Sequence, residues 1–497
     1  MSEFGAAARG VIAAGFDGER FDASLPQFGA YVLFARNASS LPQVRALTDA
    51  LRAHASDGAP ALIAVDQEGG RVARLRDGAQ AMPSMMALGA VDDADLARRA
   101  GEQTAFDLRR AGCTLNFAPV LDLALYPDNT VIGTRSLGSQ PQAVARLGGA
   151  FGEGLWAGGV LPCFKHFPGH GASPIDSHVT LPAIDAPAEV LRGRDLIPFA
   201  AVAKRAPAIM GTHAVVLALD SQRPAILSPR IATALLRDEL GFEGVFVTDC
   251  LQMGALTQCG DPAANAVAAL TAGADLLTVS HGVDVALEIA AALERAVGDG
   301  RLSAARLREA YARVLRLREA ASAPPDDDVA PHPGVGREIA RRAITLVRGF
   351  ARTDPTASTA VSFEGGISEG VNVRAVPVAS LRHEAPALEE LRLPLDPSDD
   401  ALEAALREVA ANRKRPLVLA RRAHLYPRQA AAIERIVAEY PDAVVISMLE
   451  PYDVPLFARA ATVLAAYGDD SAAVGGIADV LFGGSRPEGL LPVALQA

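Results

Sequence analysis

Ala61-Leu-Ile-Ala-Val-Asp66 is a run of five apolar residues closed by an acid, and that shape recurs through the first two-thirds of the chain. Seven further short apolar runs stand at 11–14, 31–34, 114–119, 161–166, 208–213, 245–249 and 274–280. Between most of them lie helix-like stretches, among them 42–54, 93–112, 141–159, 229–241 and 261–273, several ending on a glycine where a helix C′ residue belongs. Continuous apolar strands alternating with amphipathic helices signal a parallel sheet buried on both faces. Eight such strands is the closure number of a (β/α)8 barrel. The rival, a doubly wound open sheet, would carry a Gly-x-Gly-x-x-Gly turn after its first strand, and none is present.

From about residue 321 the pattern stops. Ala321-Ser-Ala-Pro-Pro-Asp-Asp-Asp-Val-Ala-Pro-His-Pro-Gly334 has neither helical nor strand periodicity and reads as a linker. Beyond it a helix is expected near 337–343, strands at 345–347, 417–420, 444–447 and 462–466, and a helix at 428–439. The fold expected is therefore α/β throughout: an N-terminal TIM barrel (1–320), a linker (321–336) and a smaller C-terminal α/β domain with a layered sheet (337–497), each within ordinary domain sizes.

The 497 residues carry 47 Lys and Arg against 58 Asp and Glu, a formal charge of −11, and half of them are apolar. That apolar fraction excludes disorder as the main state. Scattered basic residues on an acidic chain argue against nucleic acid or an anionic membrane as partner. Four cysteines without Cys-x-x-Cys spacing imply neither a disulfide scaffold nor a zinc knot. The first residues lack a basic leader and no apolar run approaches a membrane span, so a cytoplasmic protein is expected.

In a closed barrel the reacting groups stand at the C-terminal strand ends and in the loops that follow. Charged and imidazole residues collect at those places: Asp66-Gln-Glu-Gly-Gly-Arg71-Val-Ala-Arg74 after the third strand, Val131-Ile-Gly-Thr-Arg135 after the fourth, Lys165-His166 closing the fifth, Thr212-His213 the sixth and Thr248-Asp249 the seventh. Lys165-His-Phe-Pro-Gly-His170-Gly-Ala-Ser-Pro-Ile-Asp176-Ser-His178 is too rich in Pro and Gly for a helix and reads as a long functional loop. Asp176 and His178 are close enough for the carboxylate to orient the imidazole. Asp249 suits a nucleophile, a general base or the N-cap of the next helix. Asp66 suits a grip on sugar hydroxyls, kept ionised by Arg71 or Arg74, or else an ordinary surface ion pair.

In this order the segments resemble glycoside hydrolase family 3, in its β-N-acetylglucosaminidase branch. The matching motifs are Asp66–Arg74, Asn116-Phe-Ala-Pro-Val-Leu-Asp122, Val131–Arg135, Lys165–Gly171 with Asp176-Ser-His178, and Gly241-Phe-Glu-Gly-Val-Phe-Val-Thr-Asp249; Tyr467-Gly-Asp-Asp and Leu481-Phe-Gly-Gly-Ser-Arg-Pro-Glu-Gly-Leu-Leu-Pro492 resemble the family's C-terminal domain. The resemblance implies a retaining mechanism with Asp249 as nucleophile and His178, oriented by Asp176, as acid/base. It also implies that Asp66, Arg74, Arg135, Lys165 and His166 hold the hydroxyls and N-acetyl group of a terminal sugar. No metal and no organic cofactor is implied. The partner implied is an N-acetylglucosamine-terminated glycan or muropeptide, and nothing in the residues sets an oligomeric state. Cys250 and Thr212 depart from the family's usual residues at their positions without removing a reacting atom.

Other readings remain open on the residues. A phosphorylase is compatible, because a neutral histidine tolerates phosphate where a carboxylate would repel it. A β-glucosidase of the same family would draw its acid from the second domain, where Glu364 is a candidate more simply read as a surface-loop residue. A metal-dependent barrel hydrolase would use His166, His170, His213 and Asp249 as ligands but lacks the usual early His-x-His. A sugar-binding protein without activity is the non-enzymatic alternative.

Overall fold

The structure is a computed structural model and describes residues 4–54, 59–173, 181–326, 329–365, 379–412 and 414–495. Asp176 and His178 lie outside the described residues. Eight parallel strands form the first sheet: β1 (Ile12–Gly15), β2 (Ala30–Leu33), β3 (Leu62–Val65), β4 (Leu115–Asn116), β5 (Leu161–Phe167), β6 (Ala208–Gly211), β7 (Val245–Thr248) and β8 (Leu277–Val279). Their order is β7-β6-β5-β4-β3-β2-β1-β8. A parallel bridge between Val247 and Leu276 and the bond from Thr248 N to Leu276 O at 2.9 Å join the two ends into a barrel.

The strand period of two sorts the side chains. Ala13, Val32, Leu62, Ala64, Leu115, Leu161, Cys163, Ala208, Met210, Val245 and Val247 fill the barrel. Their neighbours Ile12, Ala14, Tyr31, Leu33, Ile63, Val65 and Phe246 pack outward against the surrounding helices. Those helices start where the sequence supplies caps. Ser40 accepts from Gln43 N ahead of Leu41–Ala53, Asp93 from Leu96 N ahead of Ala94–Arg110, and Asp261 from Ala264 N ahead of Pro262–Ala272. The last barrel helix, Ala304–Ala320, plugs the bottom with Val314 and Leu317.

A second sheet of six strands comprises β9 (Thr345–Arg348), β10 (Ser358–Glu364), β11 (Glu389–Pro394), β12 (Arg415–Ala420), β13 (Val444–Ser447) and β14 (Thr462–Ala465), in the order β9-β14-β13-β12-β10-β11. All pairings are parallel except that of β9 with β14. Val361, Phe363, Val418 and Val445 meet helices Asp399–Asn412 and Pro427–Glu439 on one face, while Leu417, Leu419, Ile446 and Leu464 meet Ser471–Leu481 on the other. Glu364, expected in a surface loop, instead ends strand β10 and pairs with Arg392 of β11 at 2.6 Å.

Helix Val335–Ala343 joins the two parts, with Val335, Ile339 and Ala343 packed into the barrel-side core. Its approach to Ser471–Leu481 requires glycine. A Cβ at Gly476 would stand 2.4 Å from Ala340 O, and one at Gly475 would strike the Arg337 guanidinium. No described helix is long and apolar enough to cross a membrane.

Candidate active site

The alternation that packs the barrel also aims its chemistry. Continuing the inward set by one step, Leu62 and Ala64 lead to Asp66, Leu161 and Cys163 to Lys165, and Val245 and Val247 to Asp249. Three charged groups therefore leave the apolar interior together at the C-terminal mouth. Lys165 Nζ stands 2.9 Å from Asp66 Oδ1 and 2.6 Å from Glu68 Oε1. Arg135 forks Glu68 with Nε and Nη2, both at 2.8 Å, and donates Nη1 to Val131 O at 2.9 Å. Arg74 Nη2 reaches Asp66 Oδ2 at 3.4 Å. Two carboxylates thus face three cations, and the side chain of Asp66 is 15% exposed against 1–2% for Glu68, Arg74 and Lys165. Asp66 is the member of the cluster that opens onto the mouth.

Burial pushes Asp66, Glu68, Lys165 and Arg135 toward their neutral forms, and their mutual attraction overrides it. Asp66 is raised by burial but lowered further by Lys165 and Arg74, so its carboxyl lies below the usual range. Glu68 is likewise raised by burial, yet Arg135 and Lys165 hold it down at about 2. Burial lowers Lys165, and the charges of Asp66 and Glu68 reverse that shift, so its ammonium is held on. The cluster is fully ionised at neutral pH.

Beside it, Asp122 orders the start of the loop after β5. Its Oδ2 stands 2.5 Å from His166 Nδ1 and its Oδ1 accepts from His170 N at 2.6 Å. The carboxylate fixes the proton of His166 on Nδ1 and turns Nε2 away from Asp122. Burial, outweighing the Asp122 charge, lowers His170 to about 4, so that ring is neutral. Asp249 follows β7, half-buried, with Oδ1 accepting from Cys250 N at 2.7 Å. His213 Nε2 lies 2.8 Å from Cys250 O and so supports the backbone next to Asp249. The next helical turn begins at Gly254 with Met253 at its N-cap, so Asp249 caps no helix. Among the described residues no group of three His, Cys, Asp or Glu is placed to hold a metal ion.

A sequence model of the glycosyl hydrolase family 3 N-terminal domain matches residues 19–317. The chain belongs to glycosyl hydrolase family 3. A beta-hexosaminidase of Pseudomonas aeruginosa (strain LESB58) is 41% identical over 271 residues, covering 54% of this chain and 80% of that protein. Among solved structures, a glycoside hydrolase family 3 beta-N-acetylglucosaminidase from Paenibacillus sp. str. FPU-7 superposes with a TM-score of 0.91 at 33% identity, over 100% of this chain and 99% of that one. NagZ from Neisseria gonorrhoeae, in complex with N-trifluoroacetyl-D-glucosamine, covers 62% of this chain and 98% of its own, with 31% identity and a TM-score of 0.52. The family fold of barrel followed by layered sheet extends over this whole chain.

Of the residues expected from the sequence, Asp66, Arg74, Lys165, His166, Arg135 and Asp249 all lie at strand ends or loops of one barrel mouth. Arg74, not Arg71, pairs with Asp66; Arg71 Nη1 runs instead to Asp469 of the second sheet's domain, at 3.1 Å. Two site residues carry no sequence signal of their own. Glu68 sits two positions after Asp66, where the strand period returns it to the same side, and Asp122 closes the Asn116-Phe-Ala-Pro-Val-Leu-Asp122 segment. Both are buried acids that work through a neighbour, a role invisible until the neighbour is placed.

Proposed function

We propose that this family 3 protein is a retaining exo-β-N-acetylglucosaminidase that removes terminal β-linked N-acetylglucosamine. The observation that carries the reading is the convergence of Asp249 with the ionised Asp66–Lys165–Glu68–Arg135 cluster on one mouth, in a fold shared end to end with a β-N-acetylglucosaminidase. Asp66 accepts hydrogen bonds from two sugar hydroxyls, Lys165 and Arg74 supply donors around the ring, and His166 offers Nε2 as an acceptor. Arg135 keeps two of its five N–H donors beyond those spent on Glu68 and Val131, for an oxygen such as that of the N-acetyl group.

Asp249 attacks the anomeric carbon as the glycosidic bond breaks, and the leaving oxygen takes a proton from His178, which Asp176 orients. Water then gives its proton to His178 and displaces Asp249 from the anomeric carbon, so the configuration is retained. A neutral imidazole admits the incoming water without placing a second negative charge beside the nucleophile. The substrates proposed are N-acetylglucosamine-terminated cell-wall muropeptides met in the cytoplasm, in the recycling of peptidoglycan.

The test is release of nitrophenol from 4-nitrophenyl N-acetyl-β-D-glucosaminide beside the corresponding glucoside and xyloside, each with and without phosphate. Turnover of the N-acetyl substrate alone, indifferent to phosphate, is expected. A phosphate-dependent rate would make the enzyme a phosphorylase, preference for the glucoside would overturn the sugar assignment, and no turnover of any of them would leave a binding protein.

A further inference from the structure

The loop after β4 crosses the barrel mouth and is gripped by three side chains of the second sheet's domain. Tyr452 donates its hydroxyl to Ala124 O at 3.2 Å, and His424 Nε2 lies 3.3 Å from Pro127 O. Glu450 Oε1 accepts from Thr134 N at 3.0 Å. The Glu450 carboxylate is itself forked by Arg422, Nε at 2.7 Å and Nη2 at 2.6 Å, and both side chains are only 2–3% exposed. Burial raises the Glu450 carboxyl, but the Arg422 charge outweighs it and keeps the group ionised. The backbone is shaped to admit this acid: Gly133 has φ +43°, and a Cβ there would stand 2.0 Å from Glu450 Oε1.

What the acid holds is the residue before Arg135. That guanidinium fixes Glu68, and Glu68 shares Lys165 with Asp66. The same loop steadies the segment after β5, because Asn129 donates its amide to His170 O at 3.2 Å. A buried ion pair adds little net stability, since desolvation offsets most of its attraction. Its strength lies in direction: a charged acceptor with both oxygens fixed holds one N–H in one place.

We infer that Glu450, fixed by Arg422, is a positioning residue for the sugar-binding cluster, through which the second sheet's domain sets the placement of Arg135 and, behind it, Glu68, Lys165 and Asp66. The inference rests on the proposed function for its sugar-binding consequence. It assigns the C-terminal domain a part in the reaction that needs none of its atoms to touch substrate.

The test compares Glu450→Ala, Gly133→Ala and the double variant Arg422→Met/Glu450→Gln with the wild type and with a surface control, Arg435→Ala. Two readouts are taken: KM and kcat on the aryl N-acetylglucosaminide, and amide hydrogen exchange of the peptide spanning 124–136 without substrate. Displacing a substrate-holding group by about 1 Å costs on the order of a hundredfold in rate at most. Glu450→Ala and Gly133→Ala are therefore expected to raise KM by about tenfold to a hundredfold and to speed exchange at Thr134. The double variant keeps an oxygen for the Thr134 amide without stranding a charge, and is expected to recover most of both losses. Arg435→Ala should match the wild type. If Glu450→Ala does not fold, Gly133→Ala and the double variant decide. A lowered melting temperature with unchanged KM and unchanged Thr134 exchange would show mere domain adhesion and overturn the inference. A wild type that turns over no N-acetylglucosaminide would overturn the proposed function, and with it the sugar role of this clamp; a working wild type with unmoved KM in the variants overturns the clamp alone.

Discussion

Replacing Glu68 by Gln removes one charge from a buried array and leaves Arg135 and Lys165 facing a neutral amide. The size of the effect follows from the carboxyl's own displacement. Glu68 is held at about 2 against an ordinary 4.5, burial raising it and Arg135 and Lys165 more than reversing that. At 1.36 kcal/mol per unit, this is about 3 kcal/mol of stability at neutral pH. Mutational data on buried pairs give the same order, about 3–5 kcal/mol when one partner is removed. The sign is that of a depressed acid: the contribution is full above about pH 4.5 and is lost as pH falls toward 2, with about 2 kcal/mol gone by pH 3. Urea unfolding followed by the fluorescence of Trp156, the chain's single tryptophan and a barrel residue, reads it directly. Glu68→Gln should lower stability by about 3 kcal/mol at pH 7, and its deficit should shrink toward about 1 kcal/mol at pH 3. A deficit under about 0.5 kcal/mol at neutral pH, or one independent of pH, would refute the reasoning, because surface substitutions do no more than that.

Other groups give separate tests. Asp249→Asn should abolish turnover of the aryl N-acetylglucosaminide while N-acetylglucosamine still raises the melting temperature; retained turnover would remove Asp249 as nucleophile. Asp66→Ala should weaken binding by about 2 kcal/mol or more, the cost of stranding charged partners, measured as inhibition by N-acetylglucosamine, with little change in that inhibition counting against its hydroxyl grip. Asp470, the N-cap of Ser471–Leu481, has a buried Oδ2 with no hydrogen-bond partner among the described residues, and its carboxyl is pushed up to about 6, burial being the main cause. A raised acid favours the folded state at low pH and loses that favour as pH rises from the ordinary 3.8 to about 6, so Asp470→Asn, which keeps a capping oxygen, should stabilise the protein by about 1–2 kcal/mol at pH 7.5 and by nothing near about pH 3. Equal stabilities at both pH values would show that the carboxylate is not disfavoured there.

The barrel was legible because each of its strands is buried on both faces and therefore written in apolar residues, and because Ser40, Asp93, Asp261 and the glycines mark helix ends. The second sheet was half legible. Strands β12, β13 and β14 are short apolar runs, but β10 (Ser-Thr-Ala-Val-Ser-Phe-Glu) buries small polar residues, and β11 lies at the sheet edge, mostly half-exposed, with Glu389, Glu390 and Arg392 in it. Helix Ser471–Leu481 was hidden by Gly475 and Gly476, which weaken the helical signal and exist for the close crossing with Val335–Ala343. At the mouth, groups that end strands could be read directly, since position along an apolar run predicts where they point. Glu450 could not, because it lies 316 residues from the amide it holds.

The proposed mechanism turns on a covalent bond between Asp249 and the sugar. The most direct measurement is to incubate the enzyme with a slow 5-fluoro N-acetyl-β-glucosaminyl fluoride, digest it and map the adduct by mass spectrometry. One N-acetylhexosaminyl-sized adduct is expected, on the peptide carrying Asp249 and on that residue. An adduct on a different carboxylate, or time-dependent turnover of the reagent with no adduct at all and inverted product, would contradict it.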